Sequence, residues 1–443
     1  MSFLKYVASI LALLTVSSPL ISQPADSIST IAYPFGVIDT IIIAGNQKTK
    51  SYVILDEMTL HPGDTATWEA MEFDKNRIYS LQLFNRVEMF YDSLQGLRFL
   101  YVEVHERWYL IPVPLFGFRD GDPKRPYYGG GLLHNNFAGK NQRLFGSIVF
   151  GHNPSLNLSF SDPLLDRPMN LYFSGSASYS RIRNKSKAAS AVTGDFDELH
   201  YDVNATIGRR FSLYETAGIN IGYQIVKIDE YRPGRTISPG GKDNYIYAQV
   251  NYSYDTRDLR EYPSRGNSFS VYARKYGLGT SKLDFARFGT DIRTYRPLPF
   301  DLTFAARVHG VLTSGGATPT YQHLFFGYGE RIRGYFKTVF EGENMLGSVV
   351  ELRYPLLKPR MIHFTALPIP AEFAVWRFGI SLAIFAETGT TWFRGQKVQL
   401  ESFHSGYGGG LDFLLPYSVV IRTHYAFSDY GDGQFVLDLR GAF

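Results

Sequence analysis

The stretch Ser155–Leu156–Asn157–Leu158–Ser159–Phe160–Ser161 alternates strictly, each apolar residue flanked by Ser or Asn. A period of two sends successive side chains to opposite faces of a strand, so one face is greasy and the other polar. Leu171, Phe173, Gly175, Ala177 and Tyr179 repeat the pattern against Tyr172, Ser174, Ser176 and Ser178. So do Ile246, Ala248, Val250, Tyr252 and Tyr254, then Phe269, Val271 and Ala273. Later, Leu346, Ser348, Val350, Leu352 and Tyr354 face one way and Gly347, Val349, Glu351 and Arg353 the other. The last such segment sets Phe435, Leu437, Leu439 and Phe443 against Asp438 and Arg440. From Pro112 onward every segment ends in a Gly, Asn, Asp or Pro cluster and the helical period is absent. About 330 residues at roughly 20 per strand and turn give about 16 strands, an even number as single-chain outer-membrane barrels require.

Composition agrees. Charged residues are 19% of the 443, against roughly 25% for ordinary soluble chains, while 34 Phe and 31 Tyr make it rich in aromatics. With 44% apolar residues and 42 Gly it is neither disordered nor a coiled coil. The absence of Cys excludes disulfides, thiol catalysis, thiolate metal sites and a lipidated Cys. A net charge of +4 is too small to argue for nucleic acid. A soluble sandwich also alternates, but its apolar face packs on a second sheet and such a core has little need of so many Tyr.

Lys5 followed by the apolar run Tyr6 to Val16 reads as a secretory signal peptide over 1–22, with cleavage near Ser22. The run is too short to span a membrane as a helix, and no later segment reaches about 18 apolar residues. A chain that leaves the cytoplasm and enters a membrane without helices must do so as a closed barrel.

Residues 37–110, after a linker over 23–36, form a separate unit. Val37–Ile43 reads as a strand. Ser51 to Leu60 and Thr67 to Leu83 have helical spacing, with Trp68, Met71, Ile78 and Leu81 on one face. Arg86 to Asp92 and Leu97 to Glu106 read as two further strands. The expected fold is therefore mainly β: a small α/β domain of order β-α-α-β-β, then a 16-stranded antiparallel transmembrane barrel over 111–443.

Several segments carry a resemblance. Ile43–Ala44–Gly45–Asn46–Gln47–Lys48–Thr49, Leu83–Phe84–Asn85–Arg86–Val87 and Val102–Glu103–Val104–His105–Glu106–Arg107 resemble the opening, the middle turn and the closing strand of a POTRA module. Tyr254–Asp255–Thr256–Arg257–Asp258, with Pro263, Arg265 and Gly266, resembles a "DTRD…P..G" barrel segment. Arg331–Ile332–Arg333–Gly334–Tyr335–Phe336 resembles a "VRGF/Y" motif, and Gly347…Glu351–Leu352–Arg353–Tyr354–Pro355 and Gly408–Gly409–Gly410–Leu411 follow the same pattern. In this order the motifs resemble the outer-membrane insertase superfamily of BamA/TamA type, with POTRA modules and a bacterial surface antigen barrel.

That resemblance implies a sixth extracellular loop folded into the lumen with Ile332, Arg333, Gly334 and Tyr335 at its tip. The family's "F.D.G" strand appears as Phe385–Ala386–Glu387–Thr388–Gly389, with Glu in place of Asp. Glu387 shares a face with Phe385 and Gly389 and is expected to meet Arg333 in a bidentate pair. Phe435, Leu437, Leu439 and the terminal Phe443 match the aromatic end by which barrels are read for assembly. The implied partners are unfolded outer-membrane or secreted clients, the lipid bilayer, and periplasmic chaperones or accessory lipoproteins. The sequence departs from insertases of this type in matching one POTRA module where they usually carry several.

No catalytic pattern emerges. The strand-to-helix G-x-S-x-G elbow is absent, the ten His lack metal spacing, and Gly129–Gly131 and Gly408–Gly410 lack the Lys-Ser/Thr of a phosphate loop. Asp255 and Asp258 read as lumen or turn groups rather than an acid/base pair. The expectation is a non-enzymatic assembly factor without cofactor or metal, lodged in the outer membrane with its POTRA module in the periplasm. The alternatives are a secretion pore dedicated to one partner and a passive porin.

Overall fold

The computed structural model describes residues 35–119, 124–194, 196–228, 231, 235–279, 282–363, 375–415 and 419–439. The expected signal peptide and Phe443 lie outside them.

In the N-terminal unit β2 (Thr40–Ala44) runs parallel to β5 (Leu97–Glu106), which pairs antiparallel with β4 (Phe84–Leu94). The strand expected over Val37–Ile43 is split. β1 (Gly36–Val37) pairs with β3 (Thr65–Ala66), the Ile38 amide donates to Asp64 O, and the Asp39 amide then crosses to Arg98 O. The first helix is also shorter than its spacing suggests. α1 covers only Ser51–Leu55, because the carboxylate of Asp74 accepts the amides of Thr59 (2.8 Å) and Leu60 (3.0 Å) and draws the chain off the helical path. α2 (Trp68–Ser80) starts at Thr67, whose hydroxyl accepts the Ala70 amide at 3.2 Å. Met71, Ile78 and Leu81 enter the core, but Trp68 is exposed. At 100° per residue it stands roughly 90° from the buried Met71–Asp74–Ile78 stripe.

Sixteen antiparallel strands follow in chain order, from β6 (Leu110–Phe118) and β7 (Pro126–Phe137) to β22 (Val419–Ser428) and β23 (Gly433–Leu439). A separate hairpin, β17 (Leu324–Phe326) with β18 (Phe340–Gly342), lies in the long connection between β16 (Thr303–Gly315) and β19 (Asn344–His363). Alternation sorts the wall as expected: Leu156, Leu158, Val203, Ile219 and Ile221 are exposed on the outside. In the lipid layer that face needs no cover.

The small unit is docked on the periplasmic turns. Leu259, between β13 (Lys242–Asp255) and β14 (Gly266–Leu278), is buried in the small unit's own core. Asn136 Nδ2 donates to Thr49 Oγ1 at 2.9 Å and Asn135 Nδ2 to Gln82 O at 2.9 Å. Glu57 sits between Arg77 (2.7 Å) and Arg210 (2.8 Å) at the end of β11 (Asp197–Arg210). Burial pushes the Glu57 carboxyl up, but Arg210 and Arg77 outweigh it and hold the group below its ordinary value.

Candidate functional site

On β19 the inward residues are Gly347, Val349, Glu351 and Arg353. On β20 (Val375–Trp392) they are Ala383, Phe385, Glu387 and Gly389. The two strands pair so that Gly347 faces Gly389, Val349 faces Glu387 and Glu351 faces Phe385. Both carboxylates therefore project into the lumen on neighbouring rungs.

The loop before β19 descends onto them. A single 3-10 turn spans Arg333–Tyr335. The Arg333 amide donates to Glu387 Oε1, its Nε donates to Glu387 Oε2 at 3.0 Å, and its Nη1 donates to Glu351 Oε2 at 3.0 Å. The guanidinium carbon lies 3.3 Å from the centre of the Phe385 ring. The expected fork of two guanidinium nitrogens on Glu387 is thus replaced by a bridge: one prong is backbone, and the freed nitrogen reaches the second carboxylate. Glu351 in turn accepts from Arg353 Nε at 2.6 Å. Two arginines and two glutamates alternate in the order Glu387–Arg333–Glu351–Arg353, with Glu351 between two cations and Arg333 between two acids.

Gly334 allows the close approach. A Cβ there would lie 2.5 Å from Phe427 O and 2.9 Å from Gly406 Cα. Ile332 is buried with Phe326 and Met345. Tyr335 donates its hydroxyl to Asp429. Gly389 and Gly347 leave a flat patch on the inner wall where the Phe326 ring lies; a Cβ on either would be 2.7 or 2.9 Å from it. Phe435 and Leu437 are not part of this site. They are exposed on the outer face, where their apolar side chains suit lipid. Leu439 pairs with Ile421 across the β22–β23 ladder.

Sequence reasoning did not find four further groups. Phe326 is one. His424 Nδ1 lies 3.2 Å from Arg333 Nη1, and its Nε2 lies 2.9 Å from Asp412 Oδ1. Gln434 Nε2 donates to Arg333 O at 3.1 Å, which ties the last strand to the loop tip. Asp412 also accepts from Tyr262, on the periplasmic turn before β14, at 2.8 Å. The one available signal was phase, since His424 and Asp412 share the inward face of their strands. No group of three His, Asp or Glu suited to a metal occurs among the described residues.

Comparison with known proteins decides the family. Residues 136–437 match the model of the Omp85 superfamily domain, and residues 36–107 match the POTRA model, the surface antigen variable number repeat. The chain belongs to the Omp85 superfamily. It is similar to the outer membrane protein assembly factor BamA of Nitratidesulfovibrio vulgaris, 25% identical over 312 residues. That match covers 67% of this chain and 37% of the relative, so the chain spans well under half the length of the curated protein it resembles. Among solved structures, BamA from Haemophilus ducreyi lacking POTRA domains 1–3 has a TM-score of 0.54 at 16% identity, covering 91% of this chain and 83% of that one. CdiB from Escherichia coli has a TM-score of 0.55 at 11% identity, covering 91% and 75%. This Omp85 chain is a barrel of the Gram-negative outer membrane with its POTRA domain in the periplasm.

Proposed function

We propose that this Omp85 protein assembles or translocates other proteins at the outer membrane, without cofactor or catalytic chemistry. The observation that carries the reading is the loop tip bound inside the lumen, Arg333 held between Glu351 and Glu387 with Gln434 of the last strand on its carbonyl. A passive pore has no use for a buried ionic latch tied to its own first-to-last seam. The site residues act in this reading as a lock: Ile332, Arg333, Gly334 and Tyr335 form the tongue, Glu387, Gly389, Glu351 and Arg353 the seat. The POTRA sheet ends in β2 on one side and β4 on the other, and a client strand adds to such an edge by β-augmentation. Domains follow as a signal peptide (1–22), a linker (23–36), the POTRA unit (37–110) and the barrel (111–443). Phe435, Leu437, Leu439 and Phe443 serve as the barrel's own assembly signal. Clients are unfolded outer-membrane or secreted proteins, with periplasmic chaperones or accessory lipoproteins delivering them.

Depletion followed by quantitative proteomics of the outer-membrane fraction tests this. Broad loss of unrelated barrels supports a general insertase, and loss of one or two surface proteins a dedicated translocator. An unchanged outer membrane overturns both and leaves a porin.

A further inference from the structure

On its lipid side the barrel gathers positive charge at one place. β10 (Leu171–Arg183), β11, β12 (Glu215–Ile228) and β13 pair so that Arg181 faces Leu199, Leu199 faces Lys227 and Lys227 faces Lys242. The four residues form one rung, at the end of the wall away from the periplasmic turn that carries Leu259. Period two fixes which way they point. Tyr201 and Val203 on β11, Ile221 and Tyr223 on β12, and Ile246 on β13 are exposed on the outer wall. Lys227 and Lys242 stand in the same phase as these residues and are exposed, as is Arg181. Strands lie about 4.8 Å apart, so three cations fall within about 15 Å of one another.

The two lysines are the closest. The Ile228 amide donates to Gly241 O at 2.9 Å, so the next rung, Lys227 with Lys242, is a non-hydrogen-bonded pair. In such pairs the Cα atoms approach to about 4.5 Å and the side chains are nearest. Like charges set directly opposite one another destabilise a sheet. Neither ammonium has an acid partner among the described residues. Arg181 and Arg183 share one carboxylate, Asp197, at 2.8 and 3.4 Å. By contrast Lys275, an outward cation on β14, has Asp284 as its partner.

What lies beneath the rung identifies its surroundings. One outward step down, about 7 Å along the strands, Tyr179 faces Tyr201 with ring centres 5.2 Å apart. In the same rung Ile225 faces Asn244, whose Nδ2 donates to the Tyr223 hydroxyl at 3.2 Å. Aromatic residues with a polar tip collect where acyl chains give way to headgroups. Further down, the outer face runs apolar through Ile221, Ile219 and Val250. The corresponding end of the wall is uncharged on other strands, with Leu312 on β16 and Tyr425 and Phe427 on β22.

We infer that Arg181, Lys227 and Lys242 form a headgroup site for a phosphate-bearing lipid of the outer leaflet. A phosphate accepts from both lysines at once and converts their mutual repulsion into a shared attraction. Arg181, two strands from Lys227, adds the planar fork that suits phosphate oxygens. The occupant is a lipid because the cations stand directly over a wall against which acyl chains lie. The site needs only a barrel seated in the membrane and does not rest on the assembly reading.

The full chain is purified in neutral detergent and titrated with bisphosphorylated lipid A and with the same lipid stripped of its phosphates, and bound lipid is counted by native mass spectrometry. A Lys or Arg beside anionic lipid is worth roughly a 5-fold preference, so K227Q/K242Q is expected to bind the phosphorylated lipid about 25-fold more weakly and the stripped lipid as before. The substitutions relieve a repulsive pair at exposed positions, so the barrel still folds. K275Q removes an outward cation that already has a partner, and is expected to leave both affinities unchanged. Equal affinity of the parent for the two lipids, or a preference that survives in K227Q/K242Q, overturns the site. A loss in K275Q as large as that in the double variant also overturns it, because net charge then accounts for the attraction. Displacement of the lipid by inorganic phosphate at equal concentration overturns the lipid as occupant in favour of a soluble anion.

Discussion

Reversing the charge of Arg333 is the most direct assault on the lumen lock. Its guanidinium is largely buried, and the Glu351 and Glu387 carboxylates it bridges are buried at 3.0 Å each. Arg333→Glu removes the cation and adds a third acid beside them, with Arg353 and Arg422 left to compensate around Glu351 and no cation bonded to Glu387 among the described residues. Removing one partner of a buried ion pair costs about 3–5 kcal/mol. That moves the balance between docked and undocked loop by roughly 150- to 4,000-fold. Ile332 lies next to the arginine and is buried, so I332C in this cysteine-free chain reports undocking through its rate of reaction with a membrane-impermeant maleimide. The rate is expected to rise by at least two orders of magnitude in R333E on the I332C background. Adding E387R recovers only part of that, because Glu351 still confronts the new acid. If R333E labels as slowly as I332C alone while the barrel folds normally, the bridge contributes nothing and the lock is not ionic.

Three further outcomes follow from the same geometry. G334A sets a Cβ 2.5 Å from Phe427 O, and overpacking of that kind costs about 1–3 kcal/mol, so I332C labelling rises at least several-fold with every charge in place. D74N weakens the acceptor of the Thr59 and Leu60 amides; stability of the POTRA unit falls by about 1–3 kcal/mol, read as faster exchange of the 57–60 backbone in the full chain. Glu57 has a folded value held below its ordinary 4.5, so its contribution to POTRA docking is complete above that pH and is lost as pH falls through the lower folded value. Exchange protection across the 52–57 segment is therefore expected to drop on acidification below about pH 4.5 in the parent chain, and to start lower and drop less in E57Q.

The wall was legible because its physics is local. A strand in lipid with a wet lumen needs one greasy and one polar face, so period-two alternation carries the strand count and the facing of Glu351 and Glu387. What escaped was set by distant residues. Nothing within Ser51–Leu60 says that the helix ends at Leu55; the carboxylate that ends it belongs to Asp74. The break at Ile38 likewise depends on Asp64 and Arg98. In the site, Arg333 and Glu387 were placed through a family motif, but spacing could not reveal that Glu351 shares the same guanidinium. His424, Asp412 and Gln434 were hidden for the opposite reason. Polar residues are ordinary on the lumen face of any barrel, so their type gave no contrast with their neighbours.

The latch is hard to explain as a source of stability. Desolvating an ion costs several kcal/mol, and well-packed apolar side chains in the same space commonly do as well or better. Here Glu351, Arg353 and Glu387 are buried around a largely buried Arg333, and Asp412 is buried under His424 and Tyr262. What such a set supplies instead is definition. Apolar contacts degrade gradually as a loop slides, whereas a guanidinium held on two carboxylates and a ring is either seated or has lost several bonds at once. The same set reaches the other side of the membrane. Arg353 Nη1 donates to Pro263 O at 3.3 Å and lies over the Tyr262 ring, and Leu259 of that same turn is buried in the POTRA core. One periplasmic turn is therefore gripped from above by the charges that hold the loop and from below by the POTRA unit. The seated loop and the POTRA unit thus share one periplasmic turn as a common support, the loop through Arg353 and the POTRA core through Leu259.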